Sequence, residues 1–402
     1  GARAAARPAR GHGATRHAAL YIAARMAAVR RSLRPPWLGR TVGTLAVVSL
    51  LTDVSSEMIY PLLPVFLTGT LGATAATLGA IEGAAESTAA LLKLGSGWWS
   101  DRLRRRKPLV VAGYALAAVA RPLVAIATTA SQVLAVRLVD RLGKGMRSAP
   151  RDALLADAAP ADVRGRVFGF HRAADHLGAV LGPLFAFALL GAGTGTGLPL
   201  RTVFWLAAVP GAVAVLVLVV GVTERTPTVR AADGLDDTPS VADAARAQRA
   251  PLGRDVRGLL AAVVLFTLGN STDAFLLLRA AQLGVPTAVV PVLWAALHLV
   301  KALASTPGGA LSDRFGRRPV IVVGWVLYAL VYLGFAHATT ALHAWALFGA
   351  YGLYFALTEG AEKALVADLT RERVRGAAFG WYHLAVGVAA LPASWLFGAL
   401  WD

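Results

Sequence analysis

Gly97-Trp-Trp-Ser-Asp101-Arg102-Leu-Arg-Arg-Arg106 returns 212 residues later (313 − 101) as Gly309-Ala-Leu-Ser-Asp313-Arg314-Phe-Gly316-Arg317-Arg318. Two further stretches return at an offset of 211 (368 − 157 and 380 − 169). Ala153-Leu-Leu-Ala-Asp157 becomes Ala364-Leu-Val-Ala-Asp368, and Val163-Arg-Gly-Arg-Val-Phe-Gly169 becomes Val374-Arg-Gly-Ala-Ala-Phe-Gly380. Three matches at nearly one spacing mean that one unit is written twice along the chain.

Outward from these motifs the sequence is apolar. Apolar residues make up 56% of the 402, and the mean hydropathy is +0.58, well above a soluble domain. The charges cluster between apolar runs of roughly 20 residues or more, which suffice to cross a bilayer as helices. Eleven such runs are expected, at about 41–69, 73–99, 108–129, 131–150, 165–190, 201–222, 257–278, 286–311, 319–337, 341–367 and 376–400. Alternating apolar and polar residues are absent, which argues against a membrane β-barrel. There are no cysteines, so disulfides and thiolate metal sites are excluded.

Basic residues orient the runs. Arg102 and Arg104–Lys107 follow the second; Arg151, Arg164 and Arg166 follow the fourth. Arg314, Arg317 and Arg318 follow the eighth, and Arg371, Arg373 and Arg375 the tenth. The alternate links carry only Arg201 and Arg279. The positive-inside rule then makes the N-terminus and the basic links cytoplasmic. The net charge of +17 does not point to nucleic acid, because nine arginines and no acids lie in residues 1–40. That segment lacks the apolar core of a secretory signal. It reads as a disordered basic arm on anionic lipid or as an upstream extension, with Met26 the true start. The expected organisation is this extension, a helix bundle over 41–222, a polar cytoplasmic linker over 223–256 and a second bundle over 257–402. The second copy ends one run short, at Trp401-Asp402, so a twelfth span is expected beyond it.

The doubled loop resembles the signature of the major facilitator superfamily of transporters, over essentially the whole of Arg40–Asp402. Gly309, Asp313, Arg314, Gly316, Arg317 and Arg318 match Gly-x-x-x-Asp-Arg-x-Gly-Arg-Arg throughout. The first copy matches at Gly97, Asp101 and Arg102 and departs at Arg104, where the family has glycine. The resemblance implies an all-α membrane protein of two pseudo-symmetric six-helix bundles. An aspartate at a helix end can pair with arginine or cap the helix start opposite it, so Asp101 and Asp313 are read as gates. Gly169, Gly178, Gly182 and Pro183 resemble the family's antiporter motif, although its trailing glycine pair is missing. Physically they allow a close helix neighbour and a bend, which ordinary packing also uses.

An ionisable group at mid-bilayer costs about 2.5–3.5 kcal/mol on insertion scales, so each one calls for an explanation. Asp53 and Glu57 stand four apart on one face of the first run. The family's first helix lines the central cavity, so the resemblance makes Asp53 a proton- or cation-coupling site; a buried ion pair is the alternative. Glu82, Glu86 and Lys93 follow in the second run, with Arg137, Asp140, Arg141 and Lys144 in the fourth. Pairing of Arg137 or Arg141 with an acid of the first run is expected. Asp175 with His171, Arg172 and His176 lies in the fifth run. Asp273, His298, Lys301, Glu359, Glu362, Lys363 and His383 lie in the second copy. The proton and substrate pathway is therefore sought among Asp53, Glu57, Glu82, Glu86, Arg137, Arg141, Asp175, Asp273 and Glu359. The histidines fall on different parts of the bundle apart from His171 and His176, so no metal ligands are assigned; export of a metal chelate stays open.

No Gly-Lys-Ser/Thr phosphate loop is present, so transport driven by ATP within this chain is not expected. No cofactor and no enzymatic activity are expected. The reading is a secondary transporter of a small molecule, monomeric and multi-pass in a bacterial plasma (inner) membrane. It works by alternating access and exports its substrate against protons. Proton-coupled uptake is the alternative, and a non-transporting sensor or partner subunit a third reading.

Overall fold

The computed structural model describes residues 35, 37–103, 105–191, 197–222, 253–270, 273–286 and 289–401. Residues 1–34 of the basic extension and 223–252 of the expected linker lie outside the described residues. The chain divides into Gly1–Gly39 and Arg40–Asp402, and the second unit carries everything that follows.

The described residues are helical, with no strand among them. We number the helices α1 (Arg40–Glu57), α2 (Ala75–Leu103), α3 (Lys107–Ala120), α4 (Ala130–Ala158), α5 (Arg164–Leu189) and α6 (Leu200–Gly221, with a turn at Ala207). The second copy supplies α7 (Arg254–Leu268), α8 (Asp273–Gln282), α9 (Val290–Phe315), α10 (Arg317–His337), α11 (Ala341–Asp368) and α12 (Arg375–Trp401). Short irregular turns prolong α1 to Thr70 and α3 to Ile126. By length and composition, five segments are apolar enough to cross a membrane: α1 to Thr70, α3 to Ile126, α6, α10 and α11. They cover themselves with exposed Leu and Val, such as Val119, Leu216, Val323 and Leu342, as a lipid solvent permits.

Two of the expected runs differ in the structure. The fourth was expected to end at 150, but α4 continues through Pro150 to Ala158. The seventh is not one helix: α7 stops at Leu268 and α8 starts at Asp273. A broken helix is tolerated at membrane depth only where protein or a cavity satisfies its backbone. Here the Tyr328 hydroxyl donates to the carbonyl of Gly269, 3.3 Å away, and to Asn270 Oδ1 at 3.0 Å. The linker expected to reach 256 gives way to α7 already at Arg254.

The doubling is visible in the packing. In the first copy α1 packs on α5 and α6, while α4 packs on α2 and α3; in the second, α11 packs on α9 and α10, and α12 on α7. The copies meet where α9 lies on α5 and α2 on α12. Each copy has its own apolar core, one around Phe66 and Phe204 with rings crossed at 86°, the other around Tyr328, Phe335, Phe348 and Tyr351. The repeat also sets helix starts. Thr129 caps α4 by accepting from the Gln132 N–H, and Thr340 caps α11 by accepting from the His343 N–H, again 211 apart (340 − 129). At the axis relating the copies, equivalent positions touch. Phe168 and Phe379 have ring centroids 5.9 Å apart, and Lys363 Nζ is 2.9 Å from Asp152 Oδ2.

Candidate functional site

Two latches close the end of the molecule that carries the basic links. Asp101, at the end of α2, accepts from the backbone N–H of Gly376 at 3.0 Å and of Ala377 at 2.7 Å, in the first turn of α12. Asp313, at the end of α9, accepts from the N–H groups of Gly165 and Arg166, both at 2.8 Å, in the first turn of α5. A carboxylate on the unpaired N–H groups of a helix start meets both free donors and the positive end of the helix dipole. Behind each stands a repeated relay. Arg106 joins Asp101 to Asp157, which holds Arg375 at 2.5 Å; Arg317 joins Asp313 to Asp368, which holds Arg164 at 2.7 Å. Gly97 and Gly309 make room for this, because a Cβ on either would run into the backbone of Gly376 or Gly165.

The latch arginines correct the sequence reading. Arg106 is five residues from Asp101, whereas Arg317 is four from Asp313, so the first loop carries one extra residue. That insertion is why the repeat offset drops from 212 to 211, and why Arg104 stands opposite Gly316. In the shorter loop Gly316 takes φ +93°, a left-handed conformation natural only to glycine. Arg102 and Arg314, expected with the gate, instead lie over the rings of Trp98 and Phe315, and Arg318 is exposed.

Between the copies lies a cavity of about 630 Å³. It runs from Tyr60, Arg121 and Arg137 near the end opposite the latches inward to Arg151, Lys363 and His383. Asp53 and Glu57 of α1 both line it, half-buried. Among the described residues neither carboxylate has an ion-pair or hydrogen-bond partner. The expected pairing of the fourth run with acids of the first is therefore not what forms. Arg137 holds Glu82 of α2 at 3.0 and 2.7 Å, and Arg141 holds Glu86 at 3.1 Å. Asp140, 2% exposed, takes Arg121 at 2.8 Å, Arg141 at 3.4 Å and Arg137 at 3.6 Å. These cations find acids closer to their own layer, so the first-helix acids are left facing the cavity.

On the far wall the copies are stitched by charge. Asp152, fully buried, is bound by Arg151 at 2.9 Å, Lys363 Nζ at 2.9 Å and His383 Nε2 at 2.9 Å. His176 Nε2 lies 3.0 Å from Glu359, and its ring centroid is 5.4 Å from that of His298. The expectation that only His171 and His176 could be neighbours is thus corrected: α5 and α9 pack together and bring His176 to His298. Asp175 is bound by Arg172 and by the Ser49 hydroxyl of α1. Asp273 lies apart, accepting from the Tyr351 hydroxyl at 2.5 Å inside the aromatic cluster of the second copy. No group of three or more metal-ligating side chains occurs among the described residues.

The glycine motif of α5 sits against α1. A Cβ on Gly178 would stand 2.6 Å from the Leu50 carbonyl oxygen and 2.8 Å from Asp53 Cβ; one on Gly182 would stand 2.7 Å from Glu57 Cβ. Gly169 instead meets Ser305 of α9, and Pro183 lies inside the helix. Sequence reasoning missed Arg121, Arg147, Asp152 and Asp157. Asp152 was detectable as the repeat counterpart of Lys363 (363 − 152 = 211), since equivalent positions near a two-fold axis meet.

Comparison with known proteins agrees with this architecture. The family model of the Major Facilitator Superfamily matches residues 45–394. An uncharacterized MFS-type transporter of Methanocaldococcus jannaschii is 31% identical over 373 residues, covering 90% of this chain and 89% of that one. The human organic anion transporter MFSD10 has the same fold, with a TM-score of 0.72 at 19% identity over 92% of this chain and 94% of its own. So has the proton:xylose symporter XylE, at 0.67 and 16% over 90% and 89%. These helices cross a membrane to carry a small molecule, not to run an enzymatic reaction, and the chain belongs to the Major Facilitator Superfamily.

Proposed function

We propose that the protein is a proton-coupled secondary transporter whose two bundles rock about the central cavity, giving access to one side of the membrane at a time. The observation that carries this is Asp53: a carboxyl midway along the run from Arg40 to Thr70 that α1 begins, facing the cavity, with no cation bound to it. An acid so placed can take a proton from one side and release it to the other. The groups around it are Glu57 on α1, Asp175 and Arg172 on α5, and Arg147 on α4. With the basic links cytoplasmic, the two latches close the cytoplasmic side and the cavity is reached from outside. The plasma membrane of a bacterium and a monomeric carrier complete this reading.

For direction, the glycine motif supports export by antiport: Gly178 and Gly182 key α5 to the turns of α1 that bear Asp53 and Glu57. Proton-coupled uptake is favoured by a different observation, the cations that surround those acids. Neutralising Asp53 there leaves more positive charge for a substrate to meet, so proton and an anion would bind together.

Proteoliposomes separate the possibilities. The probes are naphthalene-2-sulfonate, the neutral sulfonamide and the naphthylmethylammonium cation, with protein-free vesicles subtracted. Antiport accumulates a carried probe in vesicles with an acid lumen, symport in those with an alkaline lumen. Asp53→Asn is expected to abolish the effect of the gradient. Movement of every probe that ignores the gradient, in wild type and variant alike, would rule out proton coupling.

A further inference from the structure

The cavity is chemically two-sided. The wall formed by α2 and α4 presents Lys93, Arg141, Lys144 and Arg147. Two carboxylates serve this group: Glu86, at 3.1 Å from Arg141 Nε and 3.7 Å from Lys144 Nζ, and Asp140, at 3.4 Å from Arg141 Nη1. Among the described residues Lys93 has no acid within ion-pair distance. Nor has Arg147, which is 5% exposed. Its guanidinium lies over the Tyr114 ring at 4.3 Å, and its Nη1 is buried with no hydrogen-bond partner. A guanidinium nitrogen left without an acceptor in such a place is costly unless a ligand supplies one. Beside this wall, where it packs on α2, α12 presents Tyr382, Val386, Gly387 and Ala390 to the same cavity. That face offers carbon and an aromatic ring, with no charge between Tyr382 and Ala390 apart from His383, which Asp152 holds.

We infer that the substrate is a small organic anion, a carboxylate or sulfonate on an apolar body, whose charged group is held by Arg147 with Lys93 and Lys144. Its apolar part lies against Val386, Gly387 and Ala390. Arginine suits this task because its planar fork offers paired N–H donors to two anionic oxygens, while an ammonium acts as a point charge. Two of the competing acids are already engaged, Asp175 by Arg172 and Glu359 by His176; Asp53 and Glu57 lie near Arg147 and Lys144 but, among the described residues, form no ion pair with them. This assignment rests on the cavity being the transport site but not on the direction of transport or on proton coupling.

The test is calorimetric binding to the full chain in lipid nanodiscs at one fixed pH, with no gradient, using the same three naphthalene probes. Their ring bodies match, so charge alone distinguishes them. Naphthalene-2-sulfonate is expected to bind saturably, and the sulfonamide and ammonium probes at least tenfold more weakly. Arg147→Gln and Lys93→Gln are each expected to weaken the sulfonate about tenfold or more, as loss of one charge-assisted contact does. Arg147→Lys should recover part of the affinity. Lys93→Gln, on a half-buried side chain with no partner to lose, decides the matter should Arg147→Gln fail to fold. Equal or tighter binding of the ammonium probe, no binding of the sulfonate, or sulfonate binding indifferent to both variants would overturn the assignment. Binding that persists in Asp53→Asn while gradient-driven flux is lost would leave the anion site standing and locate the failure in coupling.

Discussion

Asp152 is the residue on which the two copies depend most directly. It has no exposed surface, and Arg151, Lys363 and His383 all lie within hydrogen-bond reach of its carboxylate. Ionised groups in a dry interior are stable only while paired, and removing one partner costs more than the pair contributes. Asp152→Asn is therefore expected to cost about 3–5 kcal/mol, because it strands two cations at the interface between copies. The double variant Asp152→Asn/Lys363→Met is expected to recover part of that loss, since it removes one stranded charge. Thermal unfolding of purified protein in detergent checks both; a double variant no more stable than the single one would show that Lys363 is not the group being neutralised. The sequence displayed the type of residue here but not its partner. Lys363 was visible as a buried charge, and Asp152 lay one residue before a repeated stretch. Only the two-fold axis makes them meet. Asp53 is the reverse case, since an acid midway along an apolar run is conspicuous without any knowledge of its neighbours.

At the scale of elements, α5 joins everything the cavity does. One face keys into α1 through Gly178 and Gly182, its first turn receives Asp313, and its middle lies on α9. A larger residue at Gly178 must displace the Leu50 carbonyl and the Asp53 side chain, because the available gap is 2.6–2.8 Å. Backbone cannot yield as a flexible side chain does, and overpacking of this kind costs typically about 1–3 kcal/mol. Gly178→Val is thus expected to keep the chain folded while moving α1 relative to α5. Gradient-driven flux should fall more than tenfold, with sulfonate binding less affected. Wild-type flux in Gly178→Val would show that this contact is only packing. Most helix ends were legible, because apolar runs bounded by arginine clusters fix where a chain enters and leaves lipid. The break between α7 and α8 was not, since Gly269-Asn270 stands between two apolar stretches that continue each other in hydropathy. The extra residue in the first loop was present as the step from 212 to 211, although only the shift from Arg317 to Arg106 shows what it does.

For the molecule as a whole, the proposed function makes the latches the contacts that decide which side of the membrane the cavity meets. Each latch aspartate accepts two backbone N–H bonds that exist only while the ends bearing the basic links are together. A hydrogen bond to a charged group contributes about 1.5–3 kcal/mol, so loss of even one would move the balance between the two proposed access states by roughly tenfold to hundredfold. The chain has no cysteine, which makes a single introduced thiol a clean reporter. Val386→Cys lines the cavity on α12, at a position no latch contact uses. With both latches intact, a membrane-impermeant methanethiosulfonate should label it faster from the side opposite the basic links. Adding Asp101→Asn and Asp313→Asn keeps the size of both side chains but removes the charge that the helix starts hold. The labelling rate from the basic-link side should then rise and the rate from the other side fall. Either single variant should give a smaller shift of the same sign, because the latches are built alike and act on opposite seams, α2 with α12 and α9 with α5. If the double variant labels at the wild-type ratio, the latches are fastenings of the fold and the two copies are held apart or together by the Asp152 layer instead.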